Sequence, residues 1–209
     1  MALTVIGGTL KGRRLFSPTG MAVRPTSGRV REALFSIFMH ETPGATVLDL
    51  FAGTGALAIE ALSRGAARAV LIDNTPAALA VIQKNIQACG LQAAARAIRH
   101  DAAQDLACLP SLGMAFDLVF MDPPYKSGAI GRILENLRAS RTLLPGAWVA
   151  AEHSHRTTAE AAACDGRDFT LTDQRRYGKT VVSFFRYMVE IPMNSDSDTP
   201  PFHHIHDAG

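Results

Sequence analysis

The residues best suited to chemistry form the tetrapeptide Asp122-Pro123-Pro124-Tyr125, which follows the apolar run from Phe116 to Met121. Proline fixes φ and lacks an N–H, so two in succession hold the acid extended and leave nearby carbonyls free to accept from a ligand. Such a loop suits a planar nitrogen heterocycle with an exocyclic amino group. The acid and a carbonyl accept its hydrogens, and Tyr125 stacks on its face. The tetrapeptide alone also fits an ordinary proline-rich loop with a surface tyrosine.

Acidic residues mark the ends of three earlier apolar strands as well. Asp49 lies in the first, which a glycine turn (Gly53-Thr54-Gly55) follows, while Asp73 ends the second and Asp101 lies just beyond the third. Ligands of open α/β sheets bind outside the carboxyl ends of the strands. Four acids at successive strand ends, with Asp122 as the fourth, therefore predict a single binding crevice.

The elements that position these residues alternate between strand and helix, which predicts a mostly parallel sheet with right-handed crossovers. The apolar stripe of the first helix consists of Val30, Ala33, Leu34, Ile37 and Phe38. Two late strand-like runs flank a turn at Tyr177-Gly178 and fit an antiparallel pair. The predicted strands are 47–51, 69–72, 95–99, 116–121, 147–151, 168–172 and 180–186, and the later helices are 56–64, 76–89 and 128–140.

The N-terminal part of the chain is basic. Residues 3–6 and 13–16 predict a short hairpin, which must dock on the rest of the protein because a hairpin alone is marginal in water. Residues 1–47 hold six basic and two acidic residues, whereas the whole chain has a net charge of only +2. This asymmetry favours a phosphate-binding face, although a solvated basic surface explains it equally well. The candidate phosphate contacts are Lys11, Arg13, Arg14, Arg29, Arg31, Arg176 and Lys179.

Composition limits the remaining possibilities. The 209 residues, 47% of them hydrophobic, predict one globular domain over 23–191, a hairpin extension over 1–22 and a disordered tail over 192–209. No apolar run is long enough to span a membrane, and no secretory signal is present. Three widely spaced cysteines without a CxxC pair indicate a reduced cytoplasmic protein. No designed metal site is expected, including at His203, His204 and His206 of the tail.

Two cofactors are compatible with the glycine turn. The spacing Gly53-x-Gly55-x-x-Ala58, with an acid about twenty residues later, fits a dinucleotide such as NAD. Asp49, however, places a carboxylate where a pyrophosphate would lie on the helix N-terminus, and no hydride-transfer acid or base follows the fourth strand. A phosphate-free cofactor with a ribose, an adenine and a cationic centre fits better, which favours S-adenosylmethionine. Asp49 and the glycine turn would then hold the methionine end, Asp73 the ribose, and Asp101 the adenine.

Several segments of the chain resemble those of a known family. The segment 47–66 (VLDLFAGTGALAIEALSRGA) resembles motif I of class I methyltransferases, and Asp122 to Tyr125 resembles their motif IV for exocyclic amino groups. The segments 24–38 (RPTSGRVREALFSIF) and 176–180 (RYGKT) resemble the RsmD family, over roughly residues 3–188. Asp73, where the family more often has Glu, and Gly28, where it usually has Asp, depart from the family pattern.

The resemblance implies a Rossmann-like class I methyltransferase fold: a mostly parallel seven-stranded sheet with one antiparallel strand, helices on both faces and a small N-terminal hairpin. It implies methyl transfer from S-adenosylmethionine to N2 of a guanine in 16S ribosomal RNA, within the small subunit or a late assembly intermediate, by a monomer. The implied catalytic residues are Asp122, Pro123, Pro124 and Tyr125, and the implied cofactor contacts are Asp49, Phe51, Ala52, Gly53, Gly55, Asp73, Asn74, Asp101, Ala102, Arg24 and Thr26.

Other functions remain open at this point. Adenine N6 of DNA is the main rival within methyltransferases, since the same tetrapeptide serves both amines, but the compact chain lacks a separate DNA-recognition domain. Glutamine methylases favour Asn in place of Asp122. A non-catalytic adenosine-nucleotide or NAD-binding module belongs to a different class, and loss of turnover in Asp122→Ala with cofactor binding retained would exclude it.

Overall fold

The computed structural model describes residues 3–17, 28–123, 129–157 and 168–188. Seven strands form one sheet in the order β3-β2-β1-β4-β5-β7-β6. The strands are β1 (Thr46–Leu50), β2 (Arg68–Asp73), β3 (Ala95–Arg99), β4 (Phe116–Met121), β5 (Leu143–Ser154), β6 (Phe169–Tyr177) and β7 (Thr180–Tyr187). The helices are α1 (Gly28–Ile37), α2 (Ala56–Ser63), α3 (Pro76–Cys89) and α4 (Ala129–Ser140).

The sheet has the predicted mixed topology. Strands β1 to β5 run parallel, and β7 runs antiparallel to both of its neighbours, β5 and β6. Gly178 makes the tight turn between β6 and β7 with φ +67°, a left-handed conformation that glycine adopts without strain. Because Ser154 pairs with Thr180, this turn lies at the same edge of the sheet as the carboxyl ends of β1 to β5.

Helices cover both faces of the sheet, as predicted. On one face, α1, α2 and α3 pack on the strands around an aromatic group that includes Phe35, Phe38, Phe120 and Phe184. On the other face, α4 and the segment 102–109 pack on Leu48, Leu50, Val119 and Met121, among other strand residues. Both faces of the central strands are buried, which explains why these strands read as continuous apolar runs.

Helix α1 is rotated relative to the predicted stripe. Val30, Leu34 and Phe38 are buried as predicted, but Phe35 and Arg31 are buried too, at 1% and 2% exposure. Ala33 and Ile37 are only partly buried. The difference arises because α1 contacts two partners, the sheet and the N-terminal segment, where the Arg31 guanidinium donates to the Thr4 carbonyl over 2.9 Å.

The N-terminal segment (residues 3–17) forms the predicted hairpin, with an antiparallel bridge between Thr4 and Arg14. The hairpin docks on α2 and α3 through Val5 and Leu15, which pack against Ile59 and Cys89. A Cβ on Gly8 would lie 1.8 Å from the Ser63 carbonyl oxygen, so only glycine permits this close approach.

Buried polar groups of the two helices fix the hairpin in place. The Glu60 carboxylate accepts from the backbone N–H groups of Ile6 and Gly7, each over 2.7 Å, and from Arg64 over 2.8 Å. The Asn85 side chain accepts from the Phe16 N–H and donates to the Phe16 and Thr54 carbonyls. Asn85 thereby links the hairpin to the glycine turn.

Several strand bounds differ from prediction. β5 begins earlier than 147–151 because Leu143 pairs with Phe116 of β4, and it ends later because it continues along β7. β6 extends well beyond 172 because it pairs with β7 as far as Tyr177. The predicted tail and its histidines lie outside the described residues. Within the described part of the chain, no helix is long and apolar enough to cross a membrane.

Candidate active site

The glycine turn after β1 holds an unusual backbone. Phe51, Gly53 and Gly55 all have positive φ values, of 61°, 57° and 74°. A Cβ on Gly55 would also lie 2.8 Å from the Leu71 side chain. A non-glycine residue such as Phe51 rarely adopts this conformation, and such residues cluster at ligand sites. The turn therefore brings the backbone close to the start of α2. Because its two glycines have no side chains, the space above β1 stays open.

Asp73, the last residue of β2, orders the same turn. One carboxylate oxygen accepts from the Gly53 N–H over 3.0 Å, and the other accepts from the Thr75 N–H and hydroxyl, each over 2.9 Å. Thr75 in turn caps α3 by accepting from Ala78. Asp73 thus joins the glycine turn to the start of α3, and its remaining lone pairs are available to hydroxyl donors.

Asp49 lies beneath the turn and is 2% exposed. Its carboxylate accepts from the Ala58 N–H in the first turn of α2, over 3.2 Å. Burial raises the pKa of Asp49 more than this hydrogen bond lowers it, and the negative charge of Asp73 raises it further. The pKa of Asp49 is therefore raised to about 7. Asp49 thus occupies a donor at the helix N-terminus that a pyrophosphate would require, which supports the argument against a dinucleotide.

The raised pKa of Asp49 predicts how stability depends on pH. The folded state holds the proton more tightly than the unfolded chain, so Asp49 lowers stability progressively as pH rises from about 4 to its folded pKa of about 7. We expect Asp49→Asn, which keeps an acceptor for Ala58, to raise Tm at pH 8 and to change it little at pH 4. Asp105→Asn is the control and should change Tm in the opposite direction at pH 8, because hydrogen bonds from Ala107 and His100 lower the pKa of Asp105. A Tm at pH 8 unchanged by Asp49→Asn would contradict the burial of a costly charge.

Asp122 follows β4 directly, at the same edge as Asp49. Its pKa is raised to about 8 by burial first, and then by the charges of Glu152 and Asp49. Pro123 is buried beside it, whereas Pro124 and Tyr125 lie outside the described residues. A buried carboxylate among other acids is stabilised by a nearby cation or by hydrogen-bond donors.

Glu152, near the end of β5, is a member of this group that the sequence reasoning missed. Met121 pairs with Ala151, so the next residues along the two parallel strands are Asp122 and Glu152. The rule that found the other acids applies to the fifth strand also. It was not applied there, although the predicted strand end at Ala151 puts Glu152 in the position that Asp122 holds after Met121. In the structure β5 continues three residues further, to Ser154.

The remaining predicted cofactor contacts lie at the same edge. Asp101 follows β3 and accepts from the Ala103 N–H over 3.1 Å. Ala102 is buried in the core, and Asn74 is exposed immediately after β2. Ala52, next to the glycine turn, donates to the Ile72 carbonyl. Arg24 and Thr26 lie outside the described residues.

The predicted phosphate contacts fall into two separate groups. Arg176 and Lys179 are exposed at the β6–β7 turn, at the edge that carries the acids. Lys11, Arg13 and Arg14 line a groove of about 610 Å³ between the hairpin and α3. The hairpin turn lies against Ser63, at the far end of α2 from the glycine turn.

Arg29 is exposed on α1, as predicted, but Arg31 is not. The expectation that Arg31 belongs to an exposed phosphate-binding face is wrong, because its side chain is 2% exposed and bonded to Thr4. Burial also lowers the pKa of Arg31, against the opposing effect of the Glu60 charge. Arg31 instead fastens α1 to the hairpin.

The seven-stranded sheet, the glycine turn and the acids at the strand ends define a Rossmann-like methyltransferase. A solved structure of the candidate methyltransferase yhhF from Escherichia coli matches with a TM-score of 0.74 and 28% identity, over 91% of this chain and 100% of that one. The profile of the family described as "Conserved hypothetical protein 95" matches residues 3–186. The chain belongs to this family, which confirms the resemblance to the RsmD family.

Relatives of known sequence agree with this assignment. Ribosomal RNA small subunit methyltransferase D of Escherichia coli strain K12 is 37% identical over 151 residues, covering 72% of this chain and 74% of the relative. The protein of the same name from Haemophilus influenzae is 28% identical, covering 88% and 92%. The fold is shared with SMU.776, solved with S-adenosylhomocysteine, at a TM-score of 0.64 over 83% of this chain and 53% of that one, with 17% identity.

Proposed function

We propose that this protein transfers a methyl group from S-adenosylmethionine to the exocyclic N2 of a guanine in 16S ribosomal RNA. The observation that carries the proposal is the position of Asp122 and Pro123, at the end of β4 and beside the strand-end acids of β1 and β5. The family assignment and the ribosomal RNA methyltransferases among the relatives support RNA as the substrate.

S-adenosylmethionine is the cofactor that this crevice suits. Its ribose offers two hydroxyl donors to Asp73, and its adenine amino group offers donors to Asp101. The positively charged sulfonium relieves the repulsion among Asp49, Asp122 and Glu152, which a neutral or anionic ligand would not do. The cofactor supplies the methyl group and the leaving group, and the protein supplies position and charge.

This electrostatic role predicts that cofactor affinity depends on pH. A cationic ligand favours the ionised acids, so binding should strengthen as pH rises through about 7, the pKa of Asp49, and should release protons. S-adenosylhomocysteine lacks only the sulfur-bound methyl group and, with it, the positive charge, so its affinity should vary less with pH. Calorimetry of both ligands between pH 6 and 8.5 measures the difference, and equal pH dependence would contradict the charge argument. NAD should not bind.

The proposed reaction is an in-line displacement. The N2 lone pair of guanine is conjugated with the ring, and hydrogen bonds from its two N–H groups to Asp122 and to the Pro123 carbonyl favour a more pyramidal nitrogen. A bond then forms between N2 and the methyl carbon while the carbon–sulfur bond breaks. S-adenosylhomocysteine leaves, and one N2 proton passes to solvent or to Asp122. Positioning supplies much of the rate enhancement.

The target base must be unpaired or extruded, because the amino group of a paired guanine is inaccessible to this crevice. In the proposal Tyr125 stacks on the base, a contact worth about 1–3 kcal/mol. Arg176 and Lys179, which are exposed at the edge that carries the acids, would hold phosphates next to the target nucleotide. Lys11, Arg13, Arg14 and Arg29 would hold RNA farther from it, which favours a folded RNA or a particle over a short strand.

Substrate class is tested by offering labelled S-adenosylmethionine with three acceptors in parallel. The acceptors are small ribosomal subunits from cells that lack this methyltransferase, free 16S RNA and duplex DNA. We expect the label in RNA. Small subunits should be the better substrate if the protein, acting as a cytoplasmic monomer, recognises the folded ribosomal context. Label in the adenines of DNA would move the function to the N6 class, and tight cofactor binding without any transfer would contradict the proposed substrate.

A further inference from the structure

Glu152 lies on the same face of the sheet as Asp49 and Asp122. Successive strand residues point to opposite faces, so Glu152 shares a face with Ala150, which packs with Phe120 beneath α1. Val182, the partner of Glu152 on β7, belongs to the same group. His153, the next residue, points to the other face and bonds the Ser183 hydroxyl over 2.7 Å.

The Glu152 carboxylate is held close to Asp122. Its Oε2 atom is buried, and its charge is the second largest cause of the raised Asp122 pKa, after burial. Since the two residues follow a directly paired position of β4 and β5, they are neighbours across the two strands at the edge of the sheet that carries the acids. A base whose amino group meets Asp122 and whose Watson–Crick edge faces β5 presents its neighbouring atom on that edge, N1, to Glu152.

That neighbouring atom differs between the bases. Guanine carries a donor, N1–H, next to its 2-amino group, whereas adenine carries a lone pair at N1 next to its 6-amino group. An ionised carboxylate accepts hydrogen bonds and cannot donate them. It therefore attracts the guanine edge and repels the adenine edge.

We propose that Glu152 is the residue that selects guanine, by accepting the N1–H of the base whose amino group is bound at Asp122. The inference rests on the proposed function and adds the atom that is read. Asp122 accepts from the reacting amine, which both bases possess, so it does not discriminate. Glu152 supplies the discrimination, because only guanine offers a second donor beside the amine.

The test uses a base that keeps the amine and loses the N1 proton. 2-Aminopurine has the 2-amino group of guanine but a lone pair at N1, and hypoxanthine has N1–H but no amine. Small subunits are reconstituted with a synthetic 16S segment that carries guanine, 2-aminopurine or hypoxanthine at the position the wild-type protein methylates. We expect wild type to prefer guanine over 2-aminopurine by about 10²-fold or more in kcat/KM, and to leave hypoxanthine unmodified.

The variant Glu152→Gln separates recognition from folding. Its amide can donate to the N1 lone pair of 2-aminopurine, so the guanine preference should fall by about 10-fold or more or reverse, a change in ratio that general misfolding would not produce. Glu135→Gln, an exposed change on α4, should leave the preference as in wild type. Cofactor affinity is measured for both variants.

Two outcomes are distinct. If wild type yields N2-methylguanosine and Glu152→Gln retains the wild-type ratio of guanine to 2-aminopurine, the role of Glu152 is overturned and the proposed function stands. If wild type yields no N2-methylguanosine, the proposed function fails first and this inference fails with it.

Discussion

Replacing Asp122 with alanine should reduce kcat/KM for methyl transfer by about 10²–10⁴-fold while leaving S-adenosylmethionine bound nearly as tightly. The variant removes the acceptor that orients the reacting amine, and a misplaced nucleophile alone costs about 10²-fold. Asp122→Asn keeps one carbonyl acceptor and should lose less. Single-turnover transfer to small subunits gives the rate, and calorimetry gives cofactor affinity.

Folding is the control for this prediction. The pKa of Asp122 is raised to about 8, so the ionised carboxylate is costly and both variants should melt at a higher temperature than wild type at pH 8.5. The gain should shrink towards pH 4, where the native carboxyl is protonated. Unchanged turnover in Asp122→Ala would contradict both the mechanism and the assignment of Asp122 as catalytic. Lost turnover together with lost cofactor binding would make Asp122 a cofactor residue.

Replacing Glu60 with alanine should destabilise the protein by about 2–5 kcal/mol, at about 1–3 kcal/mol for each part-buried donor left without its acceptor. Glu60 is 0% exposed and accepts from Ile6, Gly7 and Arg64, so its loss removes the acceptor of two part-buried N–H groups and of a guanidinium that is 26% exposed. It also removes the charge that opposes the burial cost of Arg31. Urea unfolding measures the loss.

The hairpin should be affected more than the sheet. Hydrogen exchange of residues 3–17 in Glu60→Ala should rise well above that of β1 and β4, because the hairpin depends on polar groups of α2 and α3. Glu60→Gln, which keeps one acceptor, should be milder, and Glu32→Ala, exposed on α1, should be neutral. Uniform exchange across the chain would show that the hairpin is an integral part of the core.

The sheet and the acids of β1 to β4 could be predicted because their signals are local. Apolar runs of strand length that end in an acid or a glycine turn indicate both the element and its edge, and the family resemblance added the seven-stranded sheet with one antiparallel strand. Phe51 at positive φ could not be predicted, since a bulky residue there is strained and only the surrounding contacts enforce it.

The burial of three polar helix residues has one physical origin. Arg31, Glu60 and Asn85 are polar residues on helices, and local pattern assigns such residues to solvent. All three are buried because the N-terminal hairpin packs over them and its backbone needs partners. Glu152 is different, because it follows the apolar run of β5 as Asp122 follows that of β4, so its local signal was present. Only the continuation of β5 to Ser154 along β7 is hidden from the local sequence.

The most direct test of the account is the identity of the methylated nucleoside. Small subunits lacking the modification are treated with the protein and S-adenosylmethionine, and the RNA is digested to nucleosides and resolved by mass spectrometry against standards. We expect N2-methylguanosine in the RNA treated with wild type, and none when Asp122→Ala replaces wild type. Methyl groups on N1 or N7 of guanine, or on adenine N6, would contradict it, because none of these places the guanine 2-amino group between Asp122 and the sulfonium methyl.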